Sequence, residues 1–461
     1  QGCIHNAGMD AASTSPEAEP IPALWHSFCQ LLPDGIEPVS WTGPRRWWGG
    51  PLDVEGLALG SMQAAATALA VCSPGRDVTF TSAAVAAWFD SFSHLRIAGS
   101  PIQGFGPLSG FRRGADGWVR IHGNYPHHER ALLDALAVTR ASEVEAALRE
   151  LPVAVIEDAV TGRGGLATAV RTPQEWAAMP AAQAVANEPW IRFSTDPAQV
   201  AEERREGSLL EGLRILDLTR VIAGPSASRL LGALGADVLR VDPTALPELE
   251  HQHVETGFAK RSAVADFGNR EQLARVRMLL PTADVVLNAY RPGALDRFGL
   301  GVEALRTDFP DLAVVCLDAW GDHGPWAGRR GFDSIVQAAT GVAHVYGTGE
   351  GRGFTPGALP VQALDYATGL GMAAAAVVLM TARRRGVTGS AHLSLARTAA
   401  ELLRMPATAG LMPVELDPPL QRMMSDYGEL IFVPPPLMID GRKVEYPDPP
   451  QRYGSAALDW K

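Results

Sequence analysis

Basic charge is what this chain is short of. Its 40 Lys and Arg stand against 51 Asp and Glu, a formal net charge of -11 over 461 residues. That balance argues against a broad nucleic-acid or anionic-membrane surface, so neither a nucleic-acid nor a membrane partner is expected. A ligand carrying phosphates would need a local basic pocket instead. Cysteine is scarce as well: Cys3, Cys29, Cys72 and Cys316 have neither framework nor metal-ligand spacing. They read as reduced thiols of a cytoplasmic protein. His122, His127 and His128 crowd one run without carboxylate or thiol ligands at set spacing, so they read as surface or capping groups and no metal is expected. The longest apolar stretch, Met372 to Met380, is too short to span a bilayer. No targeting pattern precedes Met9, and residues 1–20, rich in Ala, Ser, Pro and Glu, are expected to be disordered or foreign to the fold.

What is present is a periodic pattern of strands and helices. From Gly212 an apolar, β-branched run closes at Leu218, Gly224-Pro225 turns the chain, and an Ala/Leu-rich helix runs to Leu234. Gly235 ends that helix before a second buried strand that reaches Asp242. This is a βαβ unit, with its loop where ligands sit in such folds. Further strands are expected at Val264 to Asp266, Val285 to Leu287 and Leu312 to Leu317, separated by helical segments. The fold class is therefore α/β, with a doubly wound, parallel, Rossmann-like sheet. A polar run, Ala201-Glu-Glu-Arg-Arg-Glu-Gly207, places a linker at 196–210.

An internal repeat adds to this. Asp53 followed by the small-residue stretch to Leu69, then Asp77 to Trp88, resembles Asp365 to Leu379, then Ala391 to Leu402. Both copies read as aspartate, long helix, turn, strand, helix, which suggests a duplication.

Several segments after residue 210 carry a family resemblance. The opening βαβ unit, Gly257-Phe-Ala-Lys-Arg-Ser262, Asn288 to Leu300, Gly321-Asp-His-Gly-Pro325, Gly331 to Gly341 and Leu359 to Tyr366 follow one another as in the family III coenzyme A transferases. Their collinear order over residues 212–405 is harder to obtain by chance than any one motif. Upstream, Arg113 to Gly123 and Val170 to Ala178 resemble pieces of that family's small α+β domain, and Gly428 to Ala456 resembles its closing segment. The small domain thus lies before the nucleotide-binding half instead of after it, a rearranged order. The resulting expectation is a degenerate copy of the aspartate-helix region at 21–105, a small domain at 106–195, a CoA-binding and catalytic domain at 211–410 and a closing segment at 411–461.

The resemblance implies an enzyme moving CoA between an acyl-CoA thioester and a carboxylic acid, with CoA as substrate. Asp365 would be the covalent nucleophile, its carboxylate helped by free N–H groups at the start of a helix. As CoA contacts it implies Arg220, Val221 and Ala223 after the first strand, Lys260 and Arg261, and Asn288, Tyr290, Arg291 and Arg297. Asp53, in unlike surroundings, reads as a helix cap. A homodimer is implied too. Two departures stand out: Asp242-Pro-Thr-Ala-Leu-Pro replaces the family's Gly- and Arg-bearing phosphate loop, and no glycine-rich lid is visible. Two alternatives stay open. An α-methylacyl-CoA racemase would need a histidine where Phe332 stands in Gly331-Phe-Asp333, so racemisation is disfavoured unless His344 substitutes. A noncatalytic acyl-CoA-binding or scaffold subunit is the other.

Overall fold

The computed structural model describes residues 31–199, 209–405 and 410–461, together with Leu24 and Ser27. Residues 1–20 lie outside these, as does the central part of the expected linker.

Seven strands form the central sheet: β1 (Arg192–Pro197), β2 (Arg214–Leu218), β3 (Asp237–Asp242), β4 (Arg261–Val264), β5 (Val285–Asn288), β6 (Ala313–Asp318) and β7 (Val387–Ser394), in the spatial order β4-β3-β2-β5-β6-β7-β1. All neighbours are parallel except β1, which closes the edge antiparallel to β7. The order reverses at β2, with β3 on one side and β5 on the other, so the loops after β2 and β5 open at a topological switch point. Both faces of β2 are covered, which is why Ile215, Leu216 and Leu218 are all buried and the strand reads as a continuous apolar run.

Two observations correct the sequence reading here. β4 starts at Arg261, so the Lys260-Arg261-Ser262 motif is the opening of a strand, and its residues pair with Leu239 and Arg240 of β3. Arg192–Pro197, partly inside the expected linker, is the edge strand β1.

Two long helices fill the core, α1 (Val54–Cys72) and α4 (Ala363–Arg383), packed against each other. Small residues along both let the backbones approach: a Cβ on Gly369 would stand 2.4 Å from the Ala223 carbonyl oxygen, at the start of α2 (Ala223–Ala233). Each long helix is followed by a strand and a hydroxyl-capped helix. Thr81 accepts from the Ala84 N–H after Val78–Thr81, and Ser394 from the Arg397 N–H after β7. Both α1 and α4 are long and apolar enough to cross a bilayer, α4 exceeding the short apolar run read from sequence, and both are buried within the fold.

The ends of the chain interleave. Met438–Ile439 pairs with Val78–Thr81, and Gly428–Phe432 pairs with Arg96–Ile97, so the segment after 411 completes sheets begun before residue 105. A separate three-stranded sheet, Gly110–Arg113, Trp118–Ile121 and Ala167–Ala169, carries the small region with its own apolar cluster around Val119, Leu132 and Ile156. It abuts α3 (Asp333–Thr340), and so reaches the switch-point loops.

Candidate active site

Two cavities meet at one aspartate. The first, about 250 Å³, opens at the switch point; the second, about 200 Å³, lies toward the first hundred residues. Val221, Ile222, Phe332 and Asp365 line both and form the wall between them.

Asp365 lies in the first turn of α4, is 6% exposed, and among the described residues no donor is hydrogen-bonded to its carboxylate. The helix-start N–H groups expected to hold it are taken by a second carboxylate. Asp333 Oδ2 accepts from the Asp365 N–H at 2.9 Å, and Asp333 also accepts from the Leu364 N–H. Its Oδ1 accepts from Gln337 Nε2 at 2.5 Å. Burial, followed by the charge of Asp333, pushes the Asp365 carboxyl well above the usual carboxylate range. Burial likewise raises Asp333, to about 6, against the hydrogen bonds that stabilise its anion. The arrangement is a buried carboxylate without a hydrogen-bonding partner, seated on a helix end that an adjacent carboxylate has already capped.

The loop after β2 is tied down from behind. Val221 has φ of 69°, a left-handed conformation that a β-branched residue adopts only under constraint. The constraint is Glu248, whose Oε2 accepts from the Val221 N–H at 3.0 Å while Oε1 accepts from the Tyr125 hydroxyl at 2.5 Å. Arg240 pairs with Glu248 at 3.0 Å and with Asp242 at 2.8 Å, all three buried. Asp242, where a phosphate loop was sought, belongs to this support. Arg220 stands 3.8 Å from Glu248 and lines the first cavity.

The remaining expected contacts divide. Ala223, Tyr290 and Arg291 line the first cavity with Arg220 and Val221. Asn288 accepts from the Tyr290 N–H at 2.9 Å and lines an adjoining cavity with Tyr290 and Arg291. Lys260, Arg261 and Arg297 are elsewhere. Lys260 is buried behind β2, donating to Ser228 Oγ at 2.8 Å and the Pro225 carbonyl at 3.0 Å, and pairing with Asp217 at 3.4 Å; it holds the βαβ crossover together. Arg261 pairs with Asp237 at 2.9 Å and Asp459 at 3.3 Å, which ties β4 to the chain end. Arg297 is exposed, its guanidinium 4.5 Å from the Phe298 ring. Asp53 is a cap, accepting from the Gly56 N–H at 2.9 Å and pairing with Arg45 at 2.5 Å.

Some residues of the site escaped the sequence reading. Arg329 and Arg330 join Arg220 and Arg291 around the first cavity and supply the local basic charge that the acidic chain otherwise lacks. Their signal was adjacency to Gly331-Phe332-Asp333. His122 and His128 are buried, not at the surface as expected, and the His122 ring lies 4.3 Å from that of Phe332. Burial, with Arg120 second, pulls His122 down to about 3, so it is neutral at physiological pH. His344 stacks on Phe354 at 4.9 Å and lines neither cavity. His344 therefore does not take the acid-base place that Phe332 leaves empty; the imidazoles at the cavities are His127 and His128 in the first and His122 in the second. Among the described residues there is no group of three or more His, Cys, Asp or Glu arranged to hold a metal.

The sequence profile described as CoA-transferase family III matches residues 210–421. A probable fatty acyl-CoA transferase of Mycobacterium tuberculosis is 33% identical over 189 residues, covering 38% of this chain and 47% of that protein. A succinate–glutarate CoA-transferase of Agrobacterium fabrum is 32% identical over 196 residues, covering 38% and 48%. The chain thus spans about half the length of the curated relatives it matches. Among solved structures, a hypothetical protein from Mycobacterium tuberculosis superimposes with a TM-score of 0.40 at 32% identity, over 43% of this chain and 58% of that one.

Proposed function

We propose that this chain, whose residues 210–421 match the profile of CoA-transferase family III, transfers CoA between an acyl-CoA thioester and a carboxylic acid through covalent intermediates on Asp365. One observation carries the reading: a buried carboxylate without a hydrogen-bonding partner, raised above its usual range, stands in the wall between a cavity ringed by arginines and a second cavity. An aspartate kept only for structure would be capped or paired, as Asp53 is.

The first cavity suits CoA. Arg220, Arg291, Arg329 and Arg330 offer charge and planar donors to its phosphates, and Tyr290 and Leu246 give apolar surface for the rest. The thioester carbon then meets Asp365. A carboxylate oxygen of Asp365 attacks it, the carbon–sulfur bond breaks, and the CoA thiolate leaves with the electron pair, which yields a mixed anhydride. The thiolate attacks the aspartyl carbonyl, expelling the first acid as carboxylate and leaving an aspartyl-CoA thioester. The acceptor carboxylate reverses both steps. Desolvation makes the Asp365 carboxylate a better nucleophile once ionised, and the amino end of α2 at Ala223 faces the cavity where negative charge develops.

The homodimer and the cytoplasmic setting implied by the sequence remain part of this proposal. Exposed Met412, Val414 and Met424 offer apolar surface for a partner copy, and Cys72 and Cys316 are free thiols. A transfer assay tests the central step. Asp365→Asn should lower turnover of acyl-CoA with a carboxylic acid by at least about 1000-fold with CoA binding retained, because an amide cannot form the anhydride. Turnover within tenfold of the parent would refute it; retained CoA binding without turnover in the unsubstituted protein would make it a noncatalytic binding subunit.

A further inference from the structure

The two cavities differ in charge. The first carries four arginines; the second is lined by no arginine or lysine at all. Its walls include Phe89, Phe92, Phe105, Phe332, Val361 and Pro360, and its polar groups are neutral amides and hydroxyls such as Asn124, Gln252, Ser334 and Gln362. The imidazole among them, His122, is unprotonated at physiological pH because burial and Arg120 hold it near 3. The charged side chains that do line it, Asp90 and Asp365, are carboxylates.

Arg120 is the cation to weigh against this. Its guanidinium is stacked 5.0 Å from the Phe105 ring and 4.9 Å from the Phe111 ring, and it is not among the lining residues. Of the two rings that hold the guanidinium, Phe105 lines the cavity and Arg120 does not.

Resting on the transferase reading above, we propose that the second cavity receives the acyl group, and that the acids this chain serves are monocarboxylic with an uncharged, apolar body. The reacting carboxyl group lies at Asp365, and everything beyond it must fit among aromatic rings. A second carboxylate in the same acid would be desolvated without a cation to pair with and would face Asp90, a cost that apolar contacts cannot offset. The volume, about 200 Å³, exceeds the roughly 150 Å³ apolar cavity that takes benzene, so a branched or aromatic acyl group fits without enlargement. The relatives named above include both a fatty acyl and a succinate–glutarate enzyme; the charge of this cavity sides with the former chemistry.

The test measures kcat/KM of the full chain for acceptor acids against one acyl-CoA donor: isovalerate, benzoate and phenylacetate beside succinate, glutarate and a quaternary-ammonium acid. At least about 100-fold preference for the apolar acids is expected, the order of discrimination an unpartnered charge imposes on a built site. Gln362→Lys, which brings a cation to the lining, should shift the ratio at least tenfold toward glutarate. Equal or better use of the dicarboxylates would overturn the proposal and indicate that Phe105 swings off Arg120. Preference for the quaternary ammonium would overturn it in favour of an aromatic cage with Asp90. If no acid is used and no adduct forms on Asp365, the transferase reading itself falls, and this inference with it.

Discussion

The site turns on two carboxylates that share one helix end. Asp333 takes the N–H groups of Asp365 and Leu364, and Asp365 is left desolvated beside a like charge. Two consequences follow from the sign of these shifts. For a carboxyl whose folded pKa is raised, the neutral form persists to higher pH, so attack by Asp365 should be slow at acid pH and gain as pH rises through the pair's titration. Replacing Asp333 by Asn removes the like charge and lowers the Asp365 pKa. In a pH profile of kcat/KM for the acyl-CoA donor, the acid limb of Asp333→Asn should move to lower pH, because the like charge that raises Asp365 is gone. An unmoved limb would show that Asp333 does not act on the nucleophile through charge. The sequence reading singled out Asp365 and not this partnership: Gly331-Phe332-Asp333 was read for the histidine it lacks, while the residue of the triplet that meets the start of α4 is its aspartate, 32 positions upstream in sequence and accepting from the Asp365 N–H at 2.9 Å.

At the scale of elements, β2, the turn after it and α2 were legible because each follows a local rule. A buried strand reads as an apolar run, and a glycine-proline turn precedes a helix of small residues. Lys260 and Arg261 were misread for the converse reason. A charged pair in a motif reads as solvent-facing or ligand-facing, yet here both sit in or beside β4 with partners in distant segments, Asp217 for one and Asp237 and Asp459 for the other. Pairing of that kind is tertiary and leaves no periodic trace. The crossing of α4 over the start of α2 is testable. Gly369 has no room for a Cβ, with the Ala223 carbonyl oxygen at 2.4 Å and Ser226 Oγ at 2.3 Å from its would-be position. Gly369→Val should cost about 1–3 kcal/mol by overpacking, read as a lower Tm, and should also raise KM for acyl-CoA because Ala223 moves with its helix. A fall in Tm with KM unchanged would separate the helix crossing from the binding loop.

Over the whole molecule, the chain builds one site from regions far apart in sequence. The first cavity takes Tyr125 and His128 from the small region, Arg220 and Arg291 from the loops after β2 and β5, and Arg330 from the approach to α3. The second takes Phe89 and Phe92 from the region after α1. The parallel architecture was legible in the sequence through its alternating strands and helices, and the resemblance pointed to Asp365, which lines both cavities. The interleaving of residues 78–101 with 428–439 was not, because strand pairing across more than 300 positions depends on docking and not on local pattern. α1 and α4 share the order of following strand and hydroxyl-capped helix from which the repeat was read.

All of this converges on Asp365, so the most direct measurement is the mass of the peptide that contains it, taken after incubating the full chain with a panel of acyl-CoAs and quenching with hydroxylamine or borohydride. The account predicts a CoA-dependent change at Asp365 that is absent in Asp365→Asn. An unmodified Asp365 peptide with every acyl-CoA, in protein that calorimetry shows to bind CoA, would contradict covalent transfer.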